Sequence, residues 1–198
     1  MTLMSLPKMF LSETEGWPDL VRIHPSVTQL LVFFVAPLSL IPPLMYAYAG
    51  LVQPDGVFPL MQPPLTVLEA FSVGSAFFMI ELATVAIMAA YIQQLGDAAG
   101  VHPEYAEAYT LAAIAPTPLW LSALVLFIPS MGLSVLVVAL AWAGSVALIR
   151  HGVRPLFRLA GDDKVRSLAN AITMTGVAAW AGLMLVLVLL LSIALGWR

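Results

Sequence analysis

Apolar residues fall in five long blocks along the chain, separated by short stretches that carry the turn-forming and charged residues. Each block is long enough to cross a hydrocarbon layer of ~30 Å as a helix. The pattern predicts membrane spans over Val27–Leu51, Thr66–Gln94, Ala106–Ile128, Leu133–Ile149 and Leu168–Leu195. The separators are a proline-rich loop, Gln53–Pro64, a small polar loop, Gly96–His102, a tight turn, Pro129–Gly132, and a basic loop, Arg150–Arg166. Residues 1–26 mix Lys8, Glu13, Glu15 and Asp19 with Phe10, Leu11 and Trp17. They predict a short helix at the membrane surface, with Trp17 near headgroup level and Pro25 as its stop. A signal peptide is not expected: the apolar run is short, Pro7 interrupts it, and no small-residue cleavage site follows.

Prolines distinguish two of the spans. Pro37, Pro42 and Pro43 lie inside the first, Pro116 and Pro118 inside the third. A proline has no N–H and clashes with the carbonyl four residues back, so Pro37 strands the carbonyl of Phe33, Pro116 that of Ala112 and Pro118 that of Ile114. A break near Ser39 and a kink in span 3 are expected. Such backbone survives in a bilayer only where neighbouring protein groups satisfy the freed carbonyls. The fold class is an all-α integral membrane protein, a five-span helix bundle with proline-kinked spans 1 and 3 and a short N-terminal interfacial helix. It divides into an N-terminal segment, 1–26, and one transmembrane domain, 27–198.

Composition supports this class. Hydrophobic residues make up 61% of the 198 and charged residues 10%, against about a quarter charged in soluble domains; the mean hydropathy is +0.97. With no cysteine, disulfides, thiolate metal sites and cysteine nucleophiles are all excluded. Five of the eight basic residues, Arg150, Arg154, Arg158, Lys164 and Arg166, fall in one loop, and Gln53–Pro64 has none. The positive-inside rule then puts the basic loop and the N-terminus in the cytoplasm and the C-terminus on the outer side.

Few residues carry candidate chemistry. A central acid costs ~3 kcal/mol on an insertion scale, and each Phe, Leu, Ile or Val around it returns ~0.3–0.6. Span 2, with Glu81 near its middle, therefore needs its neighbours. Ser39, Glu81 and Thr117 are all expected near mid-depth beside the proline breaks, with Tyr109 on span 3 as a further partner. An acid beside broken helices at that depth is the arrangement of many ion and solute sites. The plainer reading is that Glu81 bonds to Tyr109 or Thr117 and fastens helices together. Glu69 lies ~18 Å from Glu81 along the helix and is expected at the helix N-terminus, which favours an acid. The basic loop could hold anionic headgroups or a cytoplasmic partner, or serve topology alone. Asp97, His102, Glu104 and Glu107 could chelate a divalent ion in principle, but the histidines show no metal spacing. No hydrolase elbow, zinc-protease motif or phosphate loop occurs, so neither an enzyme nor a cofactor is expected. Trp120 and Trp142 are expected as packing or interface anchors, and nucleic-acid binding has no support.

Several segments resemble the Yip family, five-span membrane proteins named for interaction with Ypt/Rab GTPases. They are His24-Pro25-Ser26, the run Val35–Pro42, Tyr109 followed by Ala115–Leu121, and Gly152-Val153 with the basic stretch to Lys164. The likeness covers about residues 17–190 and is nearest to bacterial members, which implies the bacterial cytoplasmic membrane. It further implies a five-span bundle with a cytoplasmic N-terminus and, from eukaryotic members, adaptor roles. Residues 1–26 leave little room for a GTPase-binding arm, so the Rab role is not carried over. The expected function is a non-enzymatic membrane interaction protein: an adaptor, assembly factor or accessory subunit. Its expected partners are lipids and other integral membrane proteins or a second copy, through small-residue stripes such as Gly74, Ser75, Ala83, Ala86 and Ala90. The alternative is a small transporter, channel or lipid-handling protein centred on Glu81. Replacing Glu81 with Gln would leave an adaptor's binding intact but abolish proton-coupled flux.

Overall fold

The computed structural model describes residues 9, 16–52 and 65–196. The loop Gln53–Pro64, most of the N-terminal segment and the last two residues lie outside the described residues. Five helical runs are long and apolar enough to cross a membrane: Val27–Val52, Val67–Ala98, Tyr105–Phe127, Met131–Phe157 and Asp162–Gly196. No strand occurs among the described residues.

A short helix, α1 (Trp17–Ile23), precedes the spans. Span 1 is assembled from α2 (Val27–Leu30), a π-helical turn (Leu31–Val35), α3 (Ala36–Ser39) and, after a break at Leu40, α4 (Ile41–Val52). The wide turn lies just before Pro37, where the missing N–H disturbs the regular ladder. Span 2 is one unbroken helix, α5 (Val67–Ala98). Span 3 is α6 (Tyr105–Ile114), an interruption at Ala115–Pro116, α7 (Thr117–Ser122) and a 3₁₀ turn, Ala123–Phe127. Spans 4 and 5 are the continuous helices α8 (Met131–Phe157) and α9 (Asp162–Gly196). The helical ladder is thus interrupted in spans 1 and 3, whose prolines lie within the apolar stretch, whereas α8 continues through Pro155 near its end.

Helix starts follow local chemistry. Thr66 and Glu69 form a reciprocal capping box: the Glu69 carboxylate accepts from the Thr66 N–H at 2.7 Å and Thr66 Oγ1 accepts from the Glu69 N–H at 3.3 Å. Two orphan donors of the first turn are satisfied at once. Ser26 with Gln29 repeats the device at span 1, and at span 3 the Glu107 carboxylate accepts from the Glu104 N–H at 3.1 Å.

Two expectations need correction. The stretch Arg150–Arg166 is helical except for a short link, Arg158–Gly161. Both residues at the ends of that link have positive φ, 50° and 104°. Hydropathy ends at the first charge, but a helix whose charged end reaches water has no reason to stop there. The Trp17 ring is not exposed as a surface anchor: it is fully buried in the protein, and its indole N–H donates to the Met9 carbonyl at 3.2 Å. A Cβ on Gly152 would lie 2.5 Å from the Trp17 ring, so α1 lies against the basic end of α8 in a seat that only glycine leaves open.

Burial is uneven. The main core joins α1, the first half of span 1, spans 2 and 3, and the basic ends of spans 4 and 5. A second cluster, around Leu65, Val73 and Phe77, takes Leu187 and Leu191 from the far end of α9.

Candidate intramembrane site

Spans 2, 3, 4 and 5, with Pro42 and Tyr46 of span 1, line a partly open cavity of about 130 Å³. Two breaks in regular structure bring its walls together. Pro42 follows the interruption at Leu40; Pro116 stands at the interruption of span 3; and Trp120 follows it on α7.

Glu81 lies on this cavity and is 5% exposed. The Trp120 side chain shares the cavity wall with it, and Oε2 has no hydrogen-bond partner. Ser145 of α8 reaches the same cavity, is also 5% exposed, and its Oγ has no partner. The other hydroxyls on the wall are used locally: Thr84 donates to the Ile80 carbonyl and Thr173 to the Ala169 carbonyl, both at 2.7 Å. Tyr46 donates toward Met184 Sδ at 4.0 Å. Trp142 and Trp180 meet edge to face, with ring centroids 5.3 Å apart, and both are half-buried.

Of the residues singled out from sequence, the cavity gathers Glu81, Pro42 and Pro116. Ser39, Thr117 and Tyr109 are not on it. Ser39 is fully buried and donates to the Ala36 carbonyl at 3.4 Å. Thr117 is buried with Oγ1 unpartnered, so it does not hold Glu81. Tyr109 is buried in the main core beside Tyr105, with ring centroids 6.0 Å apart. Pro37 is exposed and Pro118 half-buried; neither lines the cavity. Sequence reasoning missed Ser145 and the place of Trp120 on the cavity wall. Ser145 shares a helix face with Trp142 and Ile149, a spacing that could have marked it.

The basic end is partly self-neutralised. Arg154 pairs with Asp162, and Arg158 Nη2 donates to Glu107 at 3.2 Å. Arg150, Lys164 and Arg166 are exposed. In the link between spans 2 and 3, His102 Nδ1 lies 3.0 Å from Asp97. No group of three or more metal-ligating side chains occurs among the described residues.

Of the expected small-residue stripe, Ser75, Ala83 and Ala86 are exposed and Ala90 half-exposed. Gly74 instead lies against span 1, where an added Cβ would sit 3.7 Å from the Pro43 carbonyl oxygen. An unforeseen pair, Ala178 and Gly182 on α9, is exposed one turn apart, and a Cβ at Gly182 would meet nothing within 4 Å.

Comparison with family models matches residues 8–197 to the Yip1 domain. Neither the curated proteins nor the solved structures give a match.

Proposed function

The chain belongs to the Yip1-domain family, and from that premise we propose that it is a non-enzymatic membrane interaction protein: an adaptor, assembly factor or accessory subunit of a membrane complex. It resides in a bacterial cytoplasmic membrane, with the N-terminus in the cytoplasm and the C-terminus outside. Its partners are lipids and another integral membrane protein or a second copy of itself.

The observation that carries this reading is the exposure of span 5. Only 11% of its most apolar stretch is buried within the chain, against 56% for span 3. Lipid tails are as apolar as leucine, so apolarity alone does not draw helices together in a bilayer. Close backbone approach at small residues does. Ala178 and Gly182 on α9 supply that geometry on a face turned away from the bundle, as do Ala83 and Ala86 on α5. Arg150, Lys164 and Arg166 add a cationic rim, worth ~1 kcal/mol per basic residue near an anionic surface.

Gentle solubilisation of native membranes with a tagged copy, followed by native mass spectrometry, tests the reading. A stoichiometric second protein or a defined homo-oligomer is expected, and Gly182→Leu is expected to reduce it at least threefold. A chain that emerges alone from wild-type membranes would overturn the proposal.

A further inference from the structure

Beyond a role in protein association, we infer that the cavity beside Glu81 is a binding site for a membrane-dissolved amphiphile, whose apolar body fills the cavity and whose single N–H or O–H group meets Glu81 and Ser145. This site requires no protein partner and stands apart from the adaptor reading.

Two observations specify the polar end. Buried polar atoms are almost always hydrogen-bonded, yet Glu81 Oε2 and Ser145 Oγ, from different helices, are buried on one cavity with no partner. A carboxyl oxygen accepts or, when protonated, donates, and a hydroxyl does either, so the group that satisfies both must itself donate to one and accept from the other: an alcohol or a primary amine. The apolar end follows from the remaining wall, which is built by Trp142, Trp180, Val146, Ile149, Ile172 and Leu183. At about 130 Å³ the space is close to that of an apolar cavity of ~150 Å³ known to take benzene. It therefore holds about six heavy atoms, and any longer tail must leave through an opening.

The opening lies between spans 4 and 5. On α8 no residue before Ala141 is buried, and on α9 none is buried between Ile172 and Leu187. Beyond that gap α9 turns Leu187 and Leu191 to the span 2 cluster rather than to α8. The half-buried Trp142–Trp180 pair therefore forms the lip of a lateral cleft, reachable from lipid. Gly176 faces the same space: it lines the cavity, and a Cβ there would meet nothing within 4 Å.

The test uses the full chain in lipid nanodiscs and a diazirine-bearing octanol, with its methyl ether as the donor-free control. Crosslinks are mapped by peptide mass spectrometry. Saturable labelling of span 4 and span 5 peptides is expected from the alcohol, with about tenfold less from the ether. Gly176→Leu fills the cavity and is expected to remove the labelling. Ser145→Ala, which deletes only a hydroxyl, is expected to lower it about threefold, and Glu81→Leu about tenfold; a variant that elutes aggregated is set aside and the judgement rests on the other two. Equal labelling by alcohol and ether, unsaturable labelling, labelling unchanged in Gly176→Leu, or no labelling of the wild type would each overturn the inference. The last outcome leaves water as the occupant, since a polar cavity of this size also suits it.

Discussion

Single residues fix the two ends of this bundle through contacts that leave no tolerance. Gly152 is the sharpest case, because even an alanine methyl would fall within 2.5 Å of the buried Trp17 ring, an inflexible neighbour. Overpacking of this kind costs ~1–3 kcal/mol, so Gly152→Ala should lower the thermal midpoint of the purified protein by several degrees. Combining it with Trp17→Leu should recover most of the loss, and a thermal double-mutant cycle reads the coupling directly. Glu69 acts differently, through its cap. Glu69→Gln retains an acceptor for the Thr66 N–H and should be nearly silent, whereas Glu69→Ala should cost ~1 kcal/mol. The hydropathy of the chain places Glu69 at a helix start, and Thr66-x-x-Glu69 is a local signature. The seat of Trp17 is not legible in the same way. Its partner lies far along the chain, and a tryptophan beside a membrane segment reads equally well as a headgroup anchor.

At the scale of elements, hydropathy locates all five spans, and six of the expected ends fall within a residue of the observed ones: Val27, Leu51, Thr66, Ala106, Ile128 and Leu195 against Val27, Val52, Val67, Tyr105, Phe127 and Gly196. It shortens spans 4 and 5 at their basic ends, because it senses the apolar slab and not the helix that continues through it into water. The prolines of spans 1 and 3 foretell interrupted ladders, yet not which side chains the interruptions aim. Span 3 turns at Pro116, and the residue it delivers to the cavity wall with Glu81 is Trp120 rather than Thr117 or Tyr109. Replacing both Pro116 and Pro118 with Ala would restore N–H groups for the Ala112 and Ile114 carbonyls, making α6 and α7 one helix. Hydrogen exchange across residues 112–120 should then slow at least tenfold, with the thermal midpoint unchanged or raised. Because Trp120 would rotate off the cavity wall, labelling by the octanol probe should fall in the same variant. Unchanged exchange would mean that the turn is imposed by packing and not by the prolines.

For the whole molecule, the decisive asymmetry is between span 3, enclosed by its neighbours, and span 5, which leaves most of its surface to lipid or to a partner. Orientation decides which compartment that partner could also reach. The chain has no cysteine, so a single introduced one reports its own position without background. Arg166→Cys and Gly132→Cys mark opposite ends of the last two spans, and both are exposed. If the positive-inside argument holds, a membrane-impermeant maleimide added to intact cells should label Gly132→Cys at least tenfold faster than Arg166→Cys, and lysis should equalise them. The reverse ranking would place the cationic rim outside, away from the anionic cytoplasmic leaflet, and would remove the electrostatic support for lipid contact at Arg150, Lys164 and Arg166. It would leave span 5 as exposed as before. Gly182→Cys then tests that surface independently: the proposed association should give an oxidatively crosslinked dimer or hetero-adduct at native expression level. A span that serves only as a lipid-facing wall should give neither.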